Sequence, residues 1–176
     1  MDAKIGVLTI SDRAHSGIYD DESGPAVIQT LNKIIDSEWE PVSILVPDEK
    51  KEIEKALIRF TDQENCCLVI TTGGTGPSSR DVTPEVTEKI CDRMMPGYGE
   101  LMRKISLEYV PTAVLSRQTA GLRGKCLILN LPGSPRAIEQ TLIPLFESIP
   151  ACIDLMEGPF IETNPEIVVA FRPNHR

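Results

Sequence analysis

A glycine-dense loop behind an apolar strand is the feature that most constrains this chain. Residues 68–87, LVITTGGTGPSSRDVTPEVT, run from apolar residues through three glycines to an Arg-Asp pair and a helix start. Gly73, Gly74 and Gly76 lack Cβ atoms, so the backbone can adopt positive φ and turn its N–H groups toward a bulky anion. The pattern predicts a strand, a phosphate-binding loop and a helix, in that order.

The residues behind the glycines extend this prediction. Thr75 offers a further hydroxyl donor. Thr83 is predicted to cap a helix that has Pro84 at its first position, which places a helix N-terminus with its partial positive charge near the loop. Asp81 would repel a bound phosphate unless a cation lay between them. The segment therefore indicates a metal-assisted nucleotide site.

Two well-known glycine motifs do not fit these residues. The loop has no Gly-Lys-Ser/Thr ending, so it is not a Walker A motif, and GGTG is not the G-x-G-x-x-G dinucleotide fingerprint. An ordinary strand-to-helix turn rich in glycine is the structural alternative. Such a turn needs one or two glycines and has no use for the adjacent Arg-Asp pair, which favours the phosphate site.

Apolar runs and amphipathic periodicity alternate along the chain. Strands are predicted at residues 5–10, 42–46, 66–71 and 125–131, and helices at 25–35, 53–60, on both sides of 96–97, after 134 and near 152–156. This alternation predicts an α/β fold, namely a three-layer α/β/α sandwich with a mostly parallel sheet, in one domain spanning residues 1–176. The loops SDRAHSG, VPDEK, TTGGTGPSSRD and NLPGSPR each follow a strand, so we expect all four at one edge of the sheet, around one crevice.

Two aspartates in these loops are candidates for catalysis. Asp48 directly precedes a predicted helix, so it is either an N-cap, a metal ligand or both. Asp81 is harder to explain structurally, because Thr83 already supplies a cap. Ser11 and Asp12 end a buried strand, where they form either a satisfied turn or part of the site.

Two further segments are candidates for anion binding. Arg117, which follows Ser116, would make either a bidentate contact with a phosphate or carboxylate, or a surface ion pair. Residues 130–134 place Pro132 and Gly133 before a helix predicted to start with a Ser134 cap, which is a second possible anion site. His15 and His175 have no partners at metal-ligand or triad spacing, and we assign neither a catalytic role.

Composition limits the classes of partner and compartment. The formal net charge of −8 argues against a nucleic-acid binder. The five cysteines include no C-x-x-C pair, so we expect buried free thiols in a reducing cytosol. The N-terminal segment has no signal-peptide pattern, and no apolar run reaches the ~18 residues needed to span a bilayer. We therefore expect a cytoplasmic protein without a membrane segment.

Taken together, TTGGTGPSSRDVTPE, ISDRAHSG and LPGSPRAIEQ closely resemble the molybdenum-cofactor biosynthesis (molybdopterin-binding domain) family. Within that family the likeness is to the bacterial stand-alone molybdopterin adenylyltransferases. It covers nearly the whole chain, including MPGYGELMRKISLEYVPTAVLSRQTAG and the tail MEGPFIETNPEIVVAFRP, with no departure at a motif position. A related enzyme of the same fold, or a non-catalytic pterin-binding or scaffold protein, is the alternative.

The resemblance implies that ATP adenylylates molybdopterin, with Mg²⁺ as cofactor and pyrophosphate as the second product. It implies that Asp48 and Asp81 are the catalytic, metal-holding carboxylates. It also implies a homotrimer and hand-over of the product to a molybdenum-insertion enzyme. The residues expected to bind substrate and phosphate are Ser11, Asp12, Thr72, Gly73, Gly74, Thr75, Gly76, Ser116, Arg117, Asn130, Pro132, Gly133 and Ser134.

Overall fold

One six-stranded sheet organises the computed structural model, which describes residues 3–173. The strands are β1 Ala3–Ile10, β2 Trp39–Val46, β3 Leu68–Thr72, β4 Arg93–Met94, β5 Ala120–Arg123 and β6 Cys126–Leu131. The α-helices of this part of the chain are α1 Asp12–His15, α2 Ser23–Ile34, α3 Lys50–Ile58, α4 Thr83–Ile90, α5 Pro96–Leu107, α6 Pro135–Leu145 and α7 Ile149–Leu155. A π-helical segment, Arg59–Gln63, extends α3, and a 3-10 helix spans Pro111–Leu115.

The sheet is mostly parallel, as the sequence predicts. Its strand order is β2-β1-β3-β6-β5-β4, and the first four strands run parallel to one another. The last two strands extend the sheet antiparallel. β1, β3 and β6 are almost wholly buried. The edge strand β2 consists mostly of exposed and half-buried residues and accommodates Pro41.

Apolar cores cover both faces of the sheet. Successive strand residues point to opposite faces, so Val69 and Ile70 of β3 belong to different cores. Val69 packs in the cluster that contains Leu57 and Phe60 on the α3 side, and Ile70 packs in the cluster that contains Leu31 of α2. This arrangement confirms the predicted three layers.

Several element boundaries differ from the sequence prediction. β4 and β5, of two and four residues, are too short to give a periodic signal. The short helix α1 occupies the predicted polar loop after β1. α2 begins at Ser23, before Pro25, because the Asp21 carboxylate accepts hydrogen bonds from the amides of Ser23 and Gly24 at 3.0 Å. The break between the two middle helices ends at Pro96, which begins α5.

The thiols largely match the expectation. All five cysteines are free; Cys66, Cys67 and Cys126 are buried, whereas Cys91 and Cys152 are half-buried. Burial raises the pKa of Cys66 to about 12 and that of Cys67 to about 11. None of the helices in residues 3–173 is long and apolar enough to cross a bilayer. His175 lies outside the described residues.

Candidate active site

The carboxyl ends of β1, β2, β3 and β6 meet around a cleft of about 750 Å³. Its walls come from the loop after β1, from Asp48 behind β2, from the glycine loop behind β3, and from Gly133 and Pro135 behind β6. The four loops that the sequence assigns to one edge therefore do share one crevice, as expected for parallel strands of an α/β sheet.

Two glycines allow the loop to pass close to neighbouring strands. Gly73 has φ +101° and Gly74 has φ +64°, a region that side-chain-bearing residues rarely adopt. A Cβ on Gly73 would overlap the carbonyl oxygen of Ile10. The Gly73 amide donates to the Leu131 carbonyl at 3.2 Å, so this N–H is engaged within the protein rather than free for a phosphate.

The threonines of the loop also bond within the protein. Thr72 lines the cleft, and its hydroxyl donates to the Pro132 carbonyl at 2.8 Å, joining the loops behind β3 and β6. Thr75 is buried with only 5% exposure and lines neither this cleft nor the second cavity described below. Its carbonyl accepts from the Arg117 amide. The side chain of Thr75 is therefore buried and does not line either cavity.

The prediction that Thr83 caps α4 is wrong. Val82 occupies the N-cap position without a side-chain hydrogen bond, and Thr83 is the first helical residue. The Thr83 hydroxyl instead donates to the Gly73 carbonyl at 3.1 Å, and its amide donates to the Gly74 carbonyl at 3.1 Å. The positive φ angles turn the loop back onto this fully buried side chain, so Thr83 anchors the loop.

Asp48 does not cap α3, which corrects the capping alternative. Glu49 occupies the N-cap position. The Asp48 carboxylate accepts from the Asp12 amide at 2.9 Å, and the Asp48 amide donates to the Asp12 carboxylate at 3.0 Å. This reciprocal pair joins the loops behind β1 and β2, because each backbone N–H finds its acceptor on the other strand's loop.

Arg80 clamps this pair from the glycine loop. Its guanidinium donates to both carboxylate oxygens of Asp12 at 2.9 to 3.1 Å and to Glu49 at 2.8 Å. The hydrogen bond from the Asp48 amide and the adjacent Arg80 charge lower the pKa of Asp12. Three loops are thus held by one network at the mouth of the cleft.

Two carboxylates flank the glycine loop. A Cβ on Gly74 would lie 3.2 Å from Asp48 Oδ1, and one on Gly76 would lie 2.9 Å from Asp81 Oδ2. Asp81 Oδ2 also accepts from the Ser78 amide at 3.0 Å. Burial, with a smaller contribution from repulsion by Asp12 and Asp81, raises the pKa of Asp48. Both carboxylates line the same cleft.

Arg117 stabilises the glycine loop by hydrogen bonds to its backbone carbonyls. Its Nε donates to the Gly76 carbonyl at 2.8 Å, and its Nη2 donates to the Asp81 carbonyl at 2.6 Å. Nη1 pairs with Glu85. All three nitrogens therefore have protein partners, and a phosphate contact by Arg117 stays a prediction.

A second cavity of about 400 Å³ adjoins the first. Pro132 and Ser134 line it, whereas Gly133 and Pro135 line the larger cleft, so the loop behind β6 is a wall between the two. The remaining lining residues include Ser106, Ser116 and Gln118. Asn130 lines neither cavity; it is fully buried, and its amide donates to the Thr71 hydroxyl at 3.1 Å.

Three residues that line the second cavity carry buried polar atoms. Ser106 Oγ, Ser116 Oγ and Gln118 Oε1 are buried and have no hydrogen-bond partner within residues 3–173. Buried polar atoms in native proteins nearly always have partners, so each such atom requires an explanation. Three of them around one cavity indicate a ligand with hydrogen-bonding edges.

A known protein family matches most of the chain. The sequence model of a family described as a probable molybdopterin binding domain matches residues 6–150. The chain belongs to this family. A protein of Helicobacter pylori strain 26695 named molybdopterin adenylyltransferase is 53% identical over 169 residues, covering 96% of each chain. The protein of the same name from Escherichia coli K12 is 49% identical over 182 residues, covering 97% of this chain and 93% of its own.

A solved structure agrees with the fold. The molybdopterin biosynthesis enzyme MoaB from Thermus thermophilus superposes with a TM-score of 0.82 at 39% sequence identity. The match covers 90% of this chain and 99% of that one. The family membership therefore extends to the three-dimensional arrangement of the sheet and its loops.

Several residues in and around the two cavities were not predicted from the sequence. Tyr19 and Asp21 line the cleft, Arg80 holds the Asp12 carboxylate, and Ser106 and Gln118 line the second cavity. Asp21, which also accepts from the Thr9 hydroxyl at 2.7 Å, precedes Ser-Gly-Pro in a pattern typical of a helix N-cap, so its capping role was detectable. Ser106 and Gln118 carry no such local signal.

Proposed function

We propose that this chain transfers an adenylyl group from ATP to molybdopterin, releasing pyrophosphate. The observation that carries the proposal is the pair of adjoining cavities, with Asp48 and Asp81 beside the glycine loop of the larger one. Two relatives named molybdopterin adenylyltransferase, 53% and 49% identical over nearly the full chain, support the reaction.

The two cavities suit two different substrates. The larger cleft, about 750 Å³, has room for a nucleotide and is lined in part by the glycine loop. The smaller cavity offers the unpartnered polar atoms of Ser106, Ser116 and Gln118, which suit the hydrogen-bonding edge of a pterin ring. In this proposal the terminal phosphate of molybdopterin reaches the glycine loop, and the α-phosphate of ATP lies alongside it.

The reaction requires little proton transfer. A phosphate oxygen of molybdopterin attacks the α-phosphorus of ATP, the bond from that phosphorus to the bridging oxygen of the β-phosphate breaks, and pyrophosphate leaves. An acidic phosphate is already ionised, so catalysis is mainly a matter of position and charge stabilisation. Ser11, Thr72 and the loop behind β6 line the cleft and would position the phosphates, whereas Asp12 would act indirectly by holding the loop that carries Asp48.

The donor set at the loop fits Mg²⁺. Asp48 and Asp81 bring two carboxylates to one cleft, and Mg²⁺ is ordinarily held by one or two carboxylates together with substrate phosphates. Within residues 3–173 no group of three or more His, Cys, Asp or Glu side chains is arranged to hold a metal by itself, which agrees with a site completed by nucleotide. The chemistry that bound Mg²⁺ supplies is neutralisation of phosphate charge.

We also propose the assembly and setting that the resemblance implies: a cytoplasmic homotrimer whose chains each work as one domain, handing the product to a molybdenum-insertion enzyme. Support comes from a patch of exposed apolar side chains at the end of α5 and the following 3-10 helix, namely Leu107, Tyr109, Val110, Val114 and Leu115. Such a patch is typical of a protein interface. Light scattering of the purified protein tests the trimer.

The deciding experiment measures pyrophosphate and adenylyl-molybdopterin from purified protein, ATP, Mg²⁺ and molybdopterin. We expect both products only when all components are present. Binding of molybdopterin without any turnover would favour a scaffold, and turnover only with a different phosphorylated pterin would favour a related enzyme.

A further inference from the structure

The large cleft is lined by an aromatic residue as well as by the glycine loop. Tyr19 is the one aromatic side chain among the described residues that line the cleft, and it is 49% exposed. Its neighbours along the chain, Asp20 and Glu22, also line the cleft and are exposed. A half-exposed ring thus faces a cleft large enough for a nucleotide.

The ring is held in place although it is exposed. The Tyr19 hydroxyl lies 3.0 Å from the Ser11 hydroxyl, within hydrogen-bond distance. Ser11 is itself fixed as the N-cap of α1, because its side chain accepts from the Ala14 amide. The loop is fixed from the other side by the Ile18 amide, which donates to the Arg13 carbonyl at 3.0 Å. A ring fixed before binding loses little conformational entropy when a ligand packs on it.

Carboxylates line the cleft both near the ring and near the glycine loop, so the glycine loop and the proposed Mg²⁺ decide where the phosphates bind. Asp20 and Glu22 place negative charge beside the ring, where a phosphate would be repelled and an uncharged base would not. Asp48 and Asp81 instead lie beside the glycine loop in the arrangement proposed above for Mg²⁺ and phosphates. A nucleotide is therefore oriented with its base toward Tyr19.

We propose that Tyr19 is the stacking platform for the adenine base of ATP. This inference rests on the proposed function for the identity of the nucleotide. An aromatic ring and a base need no hydrogen bonds to stack, so one exposed tyrosine suffices for the contact. Tyr19 would then determine affinity for the nucleotide and leave molybdopterin binding unaffected.

The test compares three variants by calorimetric titration with the unreactive analogue α,β-methylene-ATP and Mg²⁺. Tyr19→Ala removes the ring and is expected to raise Kd about 5- to 150-fold, the range for loss of one base–aromatic contact. Tyr19→Phe keeps the ring and loses only the contact with Ser11, so we expect a change below about tenfold. Ile18→Ala is the matched control, because Ile18 is 74% exposed and does not line the cleft.

A ligand without a base separates stacking from a disturbed loop. Ribose 5-triphosphate should bind the wild-type protein and Tyr19→Ala equally. The inference is overturned if Tyr19→Ala binds the analogue as tightly as the wild type, if it weakens ribose 5-triphosphate to the same extent, or if it weakens molybdopterin instead.

Failure of the proposed function gives a different result. A wild-type protein that binds the analogue through Tyr19 but releases no pyrophosphate from ATP with molybdopterin would refute adenylyl transfer and still support the stacking role. A wild-type protein that does not bind the analogue would overturn both.

Discussion

Replacing Asp48 with asparagine should separate catalysis from folding. The side-chain oxygen of asparagine can still accept the hydrogen bond that the Asp12 amide makes at 2.9 Å. The substitution removes only the negative charge, which the proposed reaction needs beside the phosphates. Loss of one such electrostatic group commonly costs about 2.7–4 kcal/mol of barrier, so we expect kcat for adenylyl transfer to fall about 100- to 1000-fold.

The same substitution, Asp48→Asn, should raise the stability of the folded protein although it lowers kcat. The pKa of Asp48 is raised, chiefly by burial, so its contribution to stability is present at low pH and is lost as the pH rises through the pKa in the folded state. Measured in EDTA without nucleotide, Asp48→Asn should therefore melt at a higher temperature than the wild type at pH 7. The difference should shrink as the pH falls and should vanish about one unit below the pKa of ~3.9 of an unfolded aspartate, where the carboxyl group is neutral in both states.

Two further variants complete this test. Asp48→Ala loses the acceptor as well as the charge, so it should be about 1 kcal/mol less stable than Asp48→Asn, or about 2–4 °C in Tm. Asp62→Asn is the matched control: Asp62 lines neither cavity, and the Arg123 guanidinium bonded to it lowers its pKa. Its loss should leave turnover unchanged and lower stability at pH 7, with the difference shrinking in acid.

Two results would contradict the role assigned to Asp48. Turnover near the wild-type rate in a folded Asp48→Asn variant would remove Asp48 from the chemistry. If Asp48→Asn is as unstable as Asp48→Ala, the negative charge of the Asp48 carboxylate is needed for the reciprocal hydrogen-bonded pair with Asp12, and its role is structural.

Three other outcomes are expected. Asp81→Asn should fold normally, because its oxygen can still accept from the Ser78 amide, and should lose about 100-fold or more in kcat; steady-state kinetics and a melting curve check this. Gly74→Val should lose about 1–3 kcal/mol of stability to its φ of +64° and should also lose ligand affinity, since the new side chain meets Thr83 and Asp48. Gly124 has φ +55° and open space around it, so Gly124→Val should lose stability to backbone strain without losing ligand affinity. If the Gly74→Val and Gly124→Val variants bind the ligands equally well, the glycine loop is not part of the site. Cys66, Cys67 and Cys126 should resist a thiol reagent at pH 8 until the protein unfolds, because burial raises their pKa values; rapid labelling of the native protein would contradict this.

The sequence was sufficient for the parts of the fold that rest on long periodic segments. β1, β3 and β6 are continuous apolar runs, and buried parallel strands require that composition. The convergence of four loops at one edge follows from the same strand directions. β4 escaped prediction because its two residues pair only through tertiary contact with β5.

The caps were predicted less well than the strands. Thr83 and Asp48 both stand where local rules place an N-cap, yet each side chain bonds to a loop that is distant in sequence. Their partners, Gly73 and Asp12, lie 10 and 36 residues away. A capping rule considers only the amides of the nearest helix. It therefore takes no account of a donor or acceptor that is distant in sequence and close in the folded protein.

Several departures from local rules lie at the proposed site. Gly73 and Gly74 adopt positive φ, and the carboxylates of Asp12, Asp48 and Asp81 lie close enough to one another that Asp12 and Asp81 both raise the pKa of Asp48. Neither feature stabilises the folded state by itself, since few residues other than glycine adopt positive φ and like charges repel each other. Arg80 offsets part of the repulsion through its ion pair with Asp12 and through its charge near Asp48, but neither Asp48 nor Asp81 forms a salt bridge among residues 3–173. A fold that retains such an arrangement in this cleft is better explained by a ligand that brings positive charge than by any contribution to stability.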